Sequence, residues 1–136
     1  MMQELFGDEL HHKIFMLKAS DKVKYHAAAA FASNYVVGIF DVALGLLKDC
    51  GFTDEDAVSL LGPLTMGNVK SVIENGTLEA LTGPVIRNDT GTVKKHMEAL
   101  EGTDALKIYK SVGERLVKMS EKKNPDRDYS ELRKIM

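Results

Sequence analysis

Two groups of polar side chains in this sequence have the types and spacing to do chemistry. The first lies in YHAAAAFASNY, residues 25–35. If this stretch is helical, each residue turns about 100°. With His26 at the origin, Ala30 then falls at about 40°, Ser33 at about −20°, Asn34 at about 80° and Asp41 at about 60°. The few polar groups of an otherwise apolar helix therefore share one arc. A buried polar stripe must find hydrogen-bond partners, because each unsatisfied group costs about 1–3 kcal/mol. It can line a cleft and bind a ligand. It can equally be stapled to neighbouring loops.

The second group is Thr82, Gly83 and Pro84, then Arg87, Asn88 and Asp89, then Thr92 and His96. Asp89 stands where a helix N-cap would accept backbone N–H bonds. Thr92 and His96 are four apart and share a helix face. Arg87 adds a cation beside the positive end of that helix, an arrangement suited to a carboxylate or phosphate. The alternative is that Arg87 and Asp89 pair with each other and only fix the loop.

Other chemistries find little support. His11 and His12 are adjacent, so on a strand they point to opposite faces and share no metal. The single cysteine, Cys50, rules out an internal disulfide and every CxxC zinc pattern. No GxGxxG, P-loop, GxSxG or HExxH motif occurs. No metal site is expected.

These residues must be positioned by helices. Ser20 and Asp21 can cap a helix over residues 22–50, with Gly51 following it. That is about 28 residues, or roughly 42 Å. Val23, Phe31, Val36, Ile39, Phe40, Leu44 and Leu47 surround most of it, which places it at the centre of an assembly. The alanines at 27–30 allow a second backbone to approach closely. Thr53 opens the next helix, which Gly62-Pro63 should break or kink near Leu61. Further helices are expected over residues 64–74, from Asp89 or Thr90 to Leu100, from 104 to about 121 under a Thr103 cap, and near 129–135. Only residues 12–18 read as a strand, and a lone strand must pair with something else.

Composition bounds the class. The 136 residues, 44% apolar and 28% charged, describe one globular domain with a core of its own. The net charge of −2 gives no general case for nucleic acid. Residues 104–136 carry nine basic and six acidic groups, against nine and fourteen before them. A solvated helix with Glu/Lys pairs accounts for that asymmetry, although an acidic partner could use it. The apolar run at 35–47 is interrupted by Asp41 and is shorter than the roughly 20 residues of a membrane span. Neither a membrane partner nor a signal peptide is therefore expected, and a lone cysteine points to the reducing cytoplasm.

Three strings carry a resemblance: YHAAAAFASNY, the PL…N pattern at Pro63, Leu64 and Asn68, and ALTGPVIRNDTGTVKKHMEAL at 80–100. They resemble the helical C-terminal half of bacterial Rossmann-like oxidoreductases, described as domain of unknown function 2520, over about residues 8–120. Full members look like an NADP-binding Rossmann domain followed by this helical domain. Their plan is similar to that of pyrroline-5-carboxylate reductase and the 6-phosphogluconate dehydrogenase-like group. The resemblance implies an all-α dimerisation domain on one long central helix, with residues 1–18 as the junction of a Rossmann half and 19–136 as the helical domain. Two positions depart from the pattern. Ala30 stands where hydroxyacid-type dehydrogenases carry a catalytic Lys, which leaves the acid–base role to His26. Asn88 stands where the family usually has Gly, and Asn tolerates positive φ.

The resulting expectation is the substrate-binding and dimerisation domain of an NADP-dependent oxidoreductase, without its cofactor-binding half. His26 and Asn34 would be catalytic. Ser33, Arg87, Asp89, Thr92 and His96 would bind a small anionic substrate, all converging on one cleft. NADP would belong to the full-length protein and not to this chain, which alone would be inactive. The partners would be a second copy and a Rossmann domain in cis or in trans. The alternative is a stand-alone, catalytically silent helical interaction module.

Overall fold

Helices form most of the backbone in the computed structural model, which describes residues 15–136. After a 3₁₀ turn at Ala19–Asp21 come α1 (Lys22–Ala32), α2 (Asn34–Asp49), α3 (Asp54–Asn75), α4 (Thr77–Ala80), α5 (Thr90–Ala99), α6 (Ala105–Lys123) and α7 (Ser130–Ile135). No strand occurs among the described residues. The chain divides into two units, Met1–Ala43 and Leu44–Met136.

The expected strand is corrected where it can be seen. Residues 15–18 form no ladder, and Lys18 sits at φ −66°, ψ 145°, the extended conformation of solvated chain. A strand needs a partner to satisfy its amides, and no partner strand is present among the described residues. The rest of that stretch, residues 12–14, lies outside them.

The expected single long helix is two helices. Ser33, at φ −126° and ψ −76°, leaves helical geometry between α1 and α2. Its amide and its hydroxyl both donate to the Ala29 carbonyl, at 3.0 and 2.8 Å. Such back-bonding by serine competes with the regular ladder and bends helices. Asp21 occupies the N-cap position of α1 but makes no side-chain capping bond. The far end closes as expected: Gly51 has φ 91°, its amide donates to Lys48 and that of Phe52 to Leu47. This is the Schellman pattern, for which glycine carries no Cβ penalty.

The stretch Ala19–Asp49 is long and apolar enough, by length and composition, to cross a membrane. The alanine run extends the apolar stretch well upstream of residue 35. A central helix covered by another protein chain meets the same test.

Thr53 caps α3 as the sequence predicts, accepting the Asp56 amide at 3.1 Å. Pro63, however, does not end this helix, which continues to Asn75. Proline removes one backbone donor, and the turns on either side carry the helix past it. Thr65 adds a hydroxyl bond to the Leu61 carbonyl at 3.0 Å. Thr103 is also corrected. Its hydroxyl donates to Leu100 at 2.7 Å and so finishes the preceding turn, while Asp104 holds the N-cap position of α6.

The core belongs to the second unit. Val85, Val93, Val117, Tyr129, Leu132 and Met136 are buried together, flanked by Met97, Tyr109, Leu116 and Ile135. These side chains come from the 81–89 loop, α5, α6 and α7. The core therefore sets the loop against the C-terminal segment.

Candidate functional site

In the first unit, His26 is exposed on α1, and its ring meets that of Tyr25 edge-on at 5.9 Å. Ser33 and Asn34 are exposed at the α1–α2 break. The Ser33 hydroxyl proton is committed to Ala29, leaving its oxygen as an acceptor. Because the backbone departs from helical geometry at Ser33, the angular positions expected for Asn34 and Asp41 from an unbroken helix do not carry over. The neighbouring apolar side chains are also open: Val23 is 78% exposed, Phe31 67% and Val37 70%.

The second unit holds Arg87, Asp89, Thr92 and His96. The 81–89 segment turns on itself, with the Asn88 amide donating to Val85 at 3.0 Å and that of Asp89 to Pro84 at 2.9 Å. Asn88 sits at φ 58°, a left-handed conformation that Asn adopts more easily than most residues. Asp89 caps α5: one carboxylate oxygen accepts the Thr92 amide at 3.0 Å and the other its hydroxyl at 2.7 Å. These bonds favour the ionised carboxylate and hold Asp89 below the usual carboxylate range, assisted by Arg87 and Lys95. Two of the five groups expected to bind a substrate, Asp89 and Thr92, thus already satisfy each other.

Arg87 is different. It is exposed and forms no ion pair or hydrogen bond through its guanidinium among the described residues, so it is not the ion-pair partner of Asp89. One turn beyond Thr92, His96 Nδ1 lies 3.0 Å from the Tyr109 hydroxyl on α6, a hydrogen bond whose direction follows the imidazole tautomer. Burial pushes the Tyr109 phenol above its ordinary pKa, so it stays protonated. The His96 Nε2 edge is left for another group.

Several residues that shape this site carry no sequence pattern. Tyr109 comes 13 positions after His96, on another helix. Tyr129 and Arg127 tie the C-terminal segment to the loop, and they do so through folding rather than spacing. A shallow groove lined by Glu114, Val117, Lys118, Glu121 and Arg133 contains none of the sequence-expected residues. No group of three His, Cys, Asp or Glu side chains that could hold a metal occurs among the described residues. The Rossmann dinucleotide motif is a glycine-rich turn between a strand and a helix, and the sequence has none.

No curated protein or solved structure shows significant similarity to the chain. The profile of one family matches residues 1–116, most of its length. The chain belongs to that family, described as a domain of unknown function (DUF2520).

Proposed function

We propose that this chain is the substrate-binding and dimerisation domain of an NADP-dependent oxidoreductase, working with a separate cofactor-binding half. The observation that carries the reading is the apolar surface of α1 and α2, open at Val23, Phe31, Val37 and Ile39. Exposed apolar surface of this extent marks an interaction site. A second copy of the chain is the commonest way to cover one. In this reading His26 and Asn34 serve proton transfer and orientation. Arg87, on the loop before α5, anchors an anionic substrate group, and His96 on α5 contributes to binding it. NADP supplies hydride chemistry from the other half.

Val37→Asp tests the dimer. The variant should lose the dimer in size-exclusion chromatography with light scattering, and its helical circular dichroism should fall with it, since no folded monomer is expected. A dimer that survives the charge would contradict the reading. The anchor is tested by calorimetric titration with phosphate, where Arg87→Ala should weaken binding at least tenfold.

The second reading is a catalytically silent interaction module. Asp89 and Thr92 favour it, since their side chains satisfy each other as a helix cap. It predicts no phosphate binding and no change with Arg87→Ala.

A further inference from the structure

Three polar bonds connect the C-terminal segment to the three consecutive residues centred on Arg87. Tyr129 donates its hydroxyl to the Ile86 carbonyl at 2.7 Å, and Arg127 donates Nη1 to the same oxygen at 3.1 Å. On the other side of Arg87, the Asn88 amide donates to the Asp128 carbonyl at 2.9 Å. Tyr129 is 1% exposed, and its hydroxyl also accepts from Asn124 Nδ2 at 3.1 Å. Leu132 and Met136 anchor the same segment in the core against Val85 and Val93. A buried tyrosine needs a partner for its hydroxyl. Here that partner is the main chain immediately before the unpaired arginine. The C-terminal side of the arrangement, residues 124–136, lies beyond residues 1–116, the stretch that the family profile matches.

We propose that residues 124–136 form a clasp that holds the backbone on both sides of Arg87, with Tyr129 and Asn88 as its positioning residues. The clasp presents the Arg87 side chain to solvent from a fixed main chain, so less ordering is left for a ligand to impose. Its consequence for ligand binding rests on the anionic-substrate reading of Arg87.

The test uses the full chain and two mild variants. Tyr129→Phe keeps the buried ring and removes the hydroxyl. Asn88→Gly permits the positive φ and removes the amide. ¹⁵N relaxation should show Arg87 and Asn88 as rigid as α5 in the wild type, with order parameters of about 0.85, falling below about 0.6 in either variant. The amides of α5 and α6 should stay rigid. Loop amides that remain rigid in both variants would overturn the clasp, as would equal loosening of α6.

Titration with inorganic phosphate gives the second reading. Tyr129→Phe should weaken binding about three- to tenfold, the range expected for one hydrogen bond, and should add nothing to Arg87→Ala. A loosened loop with unchanged phosphate affinity would overturn the positioning role. A loosened loop in a protein that binds no phosphate would leave the clasp standing and refute the anionic-substrate reading.

Discussion

The hydroxyl of Tyr129 lies 2.7 Å from the carbonyl oxygen of Ile86, and this bond joins positions 43 residues apart. It brings the last turn of the chain to the loop that carries Arg87, so the geometry of that loop depends on tertiary packing. The side chains around the bond, Val85, Val93, Val117 and Leu132, form the core of the second unit. Core residues thus flank the loop that carries Arg87.

Leu132 is fully buried in that core. Leu132→Ala should therefore cost about 2–5 kcal/mol through lost burial and a residual cavity. Urea denaturation followed by circular dichroism measures it. A loss under about 1 kcal/mol would show that α7 packs loosely against the rest of its unit.

Thr53 caps α3 through the Asp56 amide. Thr53→Ala should cost about 0.5–2 kcal/mol, and Thr53→Asn much less, since Asn is also a good N-cap. Equal losses in the two variants would show that the hydroxyl acts in some other way.

Asp89 gives a pH dependence with a definite sign. Its folded-state pKa lies below the ordinary 3.8, chiefly because the Thr92 amide and hydroxyl donate to the carboxylate. The stabilisation that follows is present above the unfolded value and is lost as pH falls through the lowered folded value. Asp89→Asn keeps a capping oxygen and removes the titration. Wild type should melt higher than this variant at neutral pH, and the gap should shrink below about pH 3.8. A gap that stays constant from pH 7 to pH 2 would contradict the role of these bonds.

Much of the helical layout was legible in the sequence because caps are local. Thr53, Gly51 and Asp89 mark their helix ends by side-chain chemistry or positive φ, and each end falls where those residues predict it. The errors arose where local rules compete. Ser33 turned its hydroxyl back on Ala29, and Thr103 turned its own back on Leu100 instead of capping forward. Pro63 was tolerated within a 22-residue helix. At the candidate site, Asp89 was readable as the cap of α5, while its pairing with the Thr92 hydroxyl was not. The Tyr109 and Tyr129 contacts were not, because they join segments that only folding brings together.

The central claim is that a second copy of the chain covers the apolar surface of α1 and α2. Sedimentation equilibrium of the 15.0 kDa chain at micromolar concentration, without detergent, tests it most directly. The account predicts a single species of twice the chain mass, with no folded monomer on dilution to the limit of detection. A stable, helical monomer would contradict it, as would a chain that stays dispersed only when detergent or lipid is supplied.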